Sequence, residues 1–187
     1  VINMAHAFRR LGDDAAAMAG YERYLQLDPR DAYVRYQVGE VFLERGDIDR
    51  AEQVFKQALE LDPKVASATH ALGVIAYRRG DLASAEKLIR EAIAVKEDVI
   101  LARYNLALIA EERGDLPTAE REYLEELKRH PESYKAAFNL SLLYERTGQR
   151  DLRIDALKQS IEGNPAFAEG HIFLARAYLE RGGNLGE

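Results

Sequence analysis

The chain has 187 residues, with 26 Lys and Arg against 32 Asp and Glu, and its net charge of −6 is spread with both signs mixed along its length. That balance excludes the clustered basic footprint of a nucleic-acid-binding surface. Without cysteine there is neither a disulfide frame nor a thiolate zinc site, and no apolar run reaches membrane-spanning length, so no membrane insertion is expected.

Six glycines, Gly12, Gly46, Gly80, Gly114, Gly148 and Gly182, stand 34 residues apart without a slip, the mark of stacked copies of one small unit. Residues 1–31 form the first copy, which turns at Gly12-Asp13 and stops at Pro29. Val1 already lies inside the pattern and is no initiator, so the sequence reads as a piece of a longer chain. Residues 32–65 turn at Gly46-Asp47 and stop at Pro63; residues 66–99 turn at Gly80-Asp81 and reach Glu97 where the others have proline. Residues 100–133 turn at Gly114-Asp115 and stop at Pro131, and residues 134–167 turn at Gly148-Gln149 and stop at Pro165. Residues 168–187 hold the first helix of a sixth copy. Gly takes the left-handed conformation that ends a helix, Asp caps the next one, and Pro ends that in turn. Each full copy is therefore expected to be two helices of three to four turns.

Packing columns repeat with the turns. Met4, Val38, Leu72, Leu106, Leu140 and Leu174 precede each glycine by eight residues, followed by the small column Ala5, Gly39, Gly73, Ala107, Ser141 and Ala175. Beyond the turn come Ala17, Ala51, Ala85 and Ala119, then Tyr21, Phe55, Ile89, Tyr123 and Leu157. Small residues on both helices let their axes approach, and each large side chain buried between hairpins contributes roughly 1.5–3 kcal/mol before entropic costs. One hairpin cannot bury its apolar face alone, but a stack can.

Residues 35–63, with Val38-Gly39, Phe42, Ala51, Phe55 and Pro63, resemble the tetratricopeptide repeat, and the resemblance covers essentially the whole chain. It implies an all-α fold, a right-handed α-solenoid of tandem antiparallel helix pairs, with the first helices lining a concave groove. Departures are the missing signature Trp, Glu97 for proline, and charges in two small columns: Arg153 where other copies have alanine, and Glu126 where others have Ala58 and Ala92. Buried charge is costly unless it finds a partner or reaches water. Looser packing of the fourth and fifth hairpins, or a local shift of the helix after Gly148, is the expectation.

One stripe of the first helices lies away from the packing columns. It carries Tyr36, His70, Tyr104 and Phe138 in an aromatic or apolar column, Gln37, Asn105 and Asn139 in an amide-rich one, and Val74, Leu108 and Leu142 in a third, with Tyr77 and Lys135 adding to its centre. Amides both donate and accept, so they suit the backbone of an extended segment, and the resemblance implies that use for the asparagines. The apolar members supply a floor of the kind found at interface hot spots. These twelve residues are the expected site for a protein or peptide ligand. A clamp for acidic chaperone C-termini is not expected: Asn105, Lys135 and Asn139 occupy three of its places, but Asn139 replaces an arginine, His70 and Val74 replace a lysine and an asparagine, and one lysine makes no clamp.

Nothing in the sequence carries catalysis. The four histidines lie in four different copies with no metal-ligand spacing, the glycines end helices rather than cradle phosphate, and no serine sits in a nucleophile elbow. No cofactor is expected. Two other readings remain open: an accessory or spacer array of a larger enzyme, which the resemblance allows for glycosyltransferases and hydrolases, and a self-assembling scaffold with weak homo-association through the uncovered last helix. RNA-reading helical hairpins would need a basic groove, which this stripe lacks. The compartment stays open, with a slight lean to a soluble cytoplasmic protein.

Overall fold

The computed structural model describes residues 2–182, which form eleven α-helices and no strand. They divide into two compact units, the first ending at Val99 and the second beginning at Ile100. The first holds α1 (Ile2–Arg10), α2 (Asp14–Leu27), α3 (Ala32–Glu44), α4 (Ile48–Leu61), α5 (Ala66–Arg78) and α6 (Leu82–Val95). The second holds α7 (Ala102–Glu112), α8 (Leu116–Arg129), α9 (Tyr134–Arg146), α10 (Arg150–Gly163) and α11 (Ala168–Gly182).

The turns form as the sequence predicts. Gly12, Gly46, Gly80, Gly114 and Gly148 have φ between 74° and 80°, the left-handed region that glycine enters without penalty. The following aspartates cap the second helices: Asp13 accepts from Ala16 N at 3.0 Å, Asp47 from Arg50 N at 3.2 Å, Asp81 from Ser84 N at 3.0 Å and Asp115 from Thr118 N at 3.2 Å. Gly182 differs from the other five. It is the last residue of α11 and makes no left-handed turn.

Three cap carboxylates are held below the usual aspartate range, chiefly by side-chain hydrogen bonds from Arg50 to Asp47, Ser84 to Asp81 and Thr118 to Asp115. A depressed folded pKa adds stability above the unfolded value, about 3.9, and that stability is lost as pH falls through the folded value. Amides in the first turns of α4, α6 and α8 should therefore lose hydrogen-exchange protection below about pH 4. The first turn of α10 follows Gln149, which makes no side-chain cap, and should not respond.

Inside each unit the small and large columns mesh. Ala17, Ala51, Ala85 and Ala119, with Tyr21, Phe55, Ile89, Tyr123 and Leu157, are fully enclosed. A Cβ added at Gly73 would stand 2.7 Å from Ile89 Cγ1 and 3.2 Å from the Ala85 carbonyl oxygen, so this glycine is required by close approach. Gly73→Ala should lower stability by about 1–3 kcal/mol through overpacking. Thermal melting checks this against Gly12→Ala, where a Cβ meets nothing and only the turn backbone is strained. Met4 leaves its column, being 63% exposed at the surface of α1, whereas Val38, Leu106 and Leu140 are buried.

The two charges in small columns are enclosed without displacing a helix. α10 starts two residues after Gly148, as α4 starts two after Gly46, so the expected shift does not occur. Arg153 is 5% exposed and pairs with Glu145 at 2.9 Å and Glu180 at 2.6 Å, which ties α10 to α9 and α11. Glu126 is 1% exposed, and its Oε1 accepts from Leu101 N at 2.8 Å. α7 begins at Ala102, two residues later than the repeat predicts, and Leu101 before it is left-handed at φ 64° with no side-chain cap of its own. The carboxylate from α8 supplies the missing cap, at the positive end of the α7 dipole.

Candidate functional site

In the first unit the stripe runs along α1, α3 and α5. Tyr36 is half-buried between Tyr33 and Phe55, with ring centroids 5.8 and 5.7 Å away. Burial, then the charge of Glu40, push its hydroxyl pKa up and keep it neutral. Gln37 is buried and accepts a hydrogen bond from Arg9. The same guanidinium reaches Glu44 at 2.7 Å and Glu40 at 3.3 Å. Burial works against the Arg9 charge, but hydrogen bonds and attraction from Glu44 and Glu40 outweigh it and raise its pKa. Beside this group, His6 Nδ1 lies 3.0 Å from the Tyr21 hydroxyl, and His6, Arg9, Arg10, Gln37 and Glu44 line a hollow of about 350 Å³. On α5, His70, Val74 and Tyr77 are half-buried.

In the second unit the stripe runs along α7 and α9, and its polar members form one network. Asn139 Nδ2 donates to the hydroxyls of Tyr104 at 3.3 Å and Tyr123 at 3.4 Å. Tyr123 donates to Glu111 Oε2 at 2.7 Å, and Arg146 donates to Glu111 Oε1 at 2.8 Å. Burial is the main cause that raises the pKa of both tyrosines, so both hydroxyls stay donors and acceptors at neutral pH. Leu108 and Leu142 are half-exposed beside this network, each resting on a buried cluster. Lys135 is exposed at the start of α9, and Asn105 is buried. Phe138 is only 8% exposed, packed edge-on by Phe167 and Phe173 at 5.0 and 5.1 Å.

The structure thus brings Tyr104, Asn139, Leu108 and Leu142 to one surface of the second unit, and turns Phe138 into the layer beneath it. Sequence reasoning missed that the charged residues Glu40, Glu44, Glu111 and Arg146 take part in pairs between successive first helices. The signal was there: opposite charges sit 31 or 35 residues apart, one repeat less three or plus one, in Arg9–Glu40, Arg9–Glu44 and Glu111–Arg146. Arg176–Glu145 repeats the 31-residue step on α11 and α9.

The family description "Tetratricopeptide repeat" matches four overlapping stretches, residues 2–66, 36–98, 70–128 and 104–152. The chain belongs to the tetratricopeptide repeat family. As a tetratricopeptide array it is a protein–protein interaction module, of a kind that is generally a non-catalytic scaffold. No curated protein matches it in sequence. Among solved structures the array is similar to a thermophilic tetratricopeptide protein of Thermus thermophilus, 21% identical, with 95% of this chain and 97% of that one aligned at a TM-score of 0.77. It is also similar to MamA, 24% identical over 89% and 97% of the two chains at 0.64. A third is YrrB, described as a tetratricopeptide protein with an unusual peptide-binding site, 21% identical over 90% and 87% at 0.58. Among the described residues the array has no helix long and apolar enough to cross a membrane.

Proposed function

We propose that the array recognises a peptide or helical segment of a partner protein on the exposed stripe of its first helices, and that it does so without catalysis or cofactor. The observation that supports this most is the α7–α9 surface. There two half-exposed leucines, Leu108 and Leu142, flank an amide and a hydroxyl whose orientations are already fixed by the Asn139–Tyr104–Tyr123–Glu111 network. Fixed polar groups beside an apolar floor lower the ordering cost of binding. Asn139 uses Nδ2 inside the network, so its Oδ1 is the group to accept a ligand N–H, while Lys135 suits an acidic neighbour. Tyr36, Gln37, His70, Val74 and Tyr77 form the corresponding stripe of the first unit, with Asn105 and Phe138 supporting from below in the second. The peptide-binding site reported for YrrB is in keeping with this use of the fold.

Affinity capture from the source extract tests it, comparing the native array with Leu108→Arg/Leu142→Arg and with Leu124→Glu on the exposed side of α8. Arginine keeps its stem on the apolar surface, so all three proteins should melt alike. A partner held by the native array and by Leu124→Glu but lost by the double variant is the expected result. The same partners on all three would refute the assignment.

A further inference from the structure

A cavity of about 300 Å³ opens in the first unit, away from the first-helix stripe, where α5 passes between α4 and α6. One column of the repeat bears on it. The residues four before each turn glycine are Phe8, Phe42, Ala76, Ala110, Tyr144 and Tyr178, aromatic in four of six copies. Ala110 is enclosed in its own unit's core, but Ala76 lines the cavity. Where other copies place a ring, this one places a methyl group.

The second unit shows what such a site holds. Tyr144 is buried in a cluster that includes Leu140, Leu143 and Ala156, and its hydroxyl donates to Glu120 Oε1 at 3.1 Å. Two repeats earlier the same positions are Leu72, Ile75, Leu88 and Glu52, and all four line the Ala76 cavity. The apolar walls and the carboxylate that receives a tyrosine hydroxyl are both in place, the ring is missing, and Lys56, Arg79 and Ser84 stand where the second unit has Leu124, Thr147 and Leu152. Glu52 binds Lys56 through Oε1 at 2.6 Å and Arg79 through Oε2 at 2.5 Å, and a carboxylate has about four lone-pair sites, so it still accepts a further donor. The mouth is open as well. In the copy that carries Phe42, the Arg50 guanidinium lies 4.8 Å over the ring; the equivalent residue at the cavity is Ser84.

We infer that the Ala76 cavity is a socket for a tyrosine side chain presented by a partner protein, whose ring replaces the one missing from this column and whose hydroxyl donates to Glu52. The charges around the rim complement such a guest. Glu52 and Asp81 balance Lys56 and Arg79, which suits a neutral phenol better than an ionic side chain, and Arg79 beside the ring adds a favourable cation–π contact. The site is separate from the first-helix stripe, so one partner segment can occupy each.

N-acetyl-L-tyrosinamide and N-acetyl-L-phenylalaninamide, titrated into the isotope-labelled array and followed by amide chemical shifts, test the socket. Saturable shifts centred on Ala76 and Ser84 are expected, with the tyrosine compound about tenfold tighter, the effect of one hydrogen bond to a charged acceptor. Ala76→Tyr should fill the socket from within, melt no lower than the native protein and abolish the shifts. Glu52→Ala should bring the two affinities together. Absent shifts, shifts that persist in a folded Ala76→Tyr protein, or equal binding of both compounds to the native array would each overturn the inference.

Discussion

Glu126→Ala should destabilise the second unit by about 2–3 kcal/mol, read as a lower melting temperature. The loss has two parts. Leu101 N loses an acceptor 2.8 Å away inside the protein, and an unpaired buried donor costs about 1–3 kcal/mol. The enclosed volume of the glutamate stem is also left empty. Leu101 already holds a left-handed conformation that a branched side chain adopts only when its surroundings enforce it. Without the cap, the first turn of α7 should fray and its amides exchange fastest. Glu126→Gln keeps an acceptor and should lose less than half as much. Equal losses for the two variants would show that neither the acceptor at Leu101 nor the filled volume is what Glu126 provides, because glutamine keeps both.

Arg153→Ala should release α11 while leaving α7 and α8 unaffected. Arg153 is enclosed, and its two ion-pair partners, Glu145 and Glu180, lie on α9 and α11. Both glutamates are partly exposed, so removing the arginine strands no buried charge; the penalty is the loss of the link itself. Hydrogen bonds to charged groups are worth about 1.5–3 kcal/mol, which corresponds to roughly 10- to 100-fold faster amide exchange along α11. Arg176 also reaches Glu145 at 2.9 Å and keeps part of the contact. The result is informative because alanine is the residue that other copies carry in this column: on repeat pattern alone, Arg153→Ala would stabilise.

What the sequence made legible follows from locality. The left-handed glycines, the aspartate caps and the enclosed columns all depend on residues a few positions apart, or on copies related by a constant shift, and both are visible in one chain. Glu126 and Arg153 were read as liabilities because a column comparison registers a charge in an alanine position and not the partner that meets it. Glu126 caps Leu101 at the joint where Glu97 stands in place of the proline of the other copies and where α7 starts two residues late, a coincidence that no single column displays. The stripe was legible as a list of residues but not as exposure. Phe138 has the same place in its helix as Tyr104, yet Phe167 and Phe173 close over it, and these come from the loop before α11 and from α11 itself. Tyr123 belonged to a packing column by pattern, and its hydroxyl nonetheless joins the network of the stripe. The first difference arises because rings from a later segment cover the position, the second because side-chain length carries the Tyr123 hydroxyl to a surface other than the one its Cβ faces.

Site-specific photo-crosslinking reads out whether partners engage the first-helix stripe. A photoreactive amino acid is placed singly at Leu108, Leu142 and Val74 on the stripe, and at Leu124 and Leu152 on exposed parts of the second helices α8 and α10. With a captured partner present, crosslinks are expected from the first three positions and none from the last two. Crosslinks confined to Leu124 and Leu152 would contradict this and move recognition to the second helices.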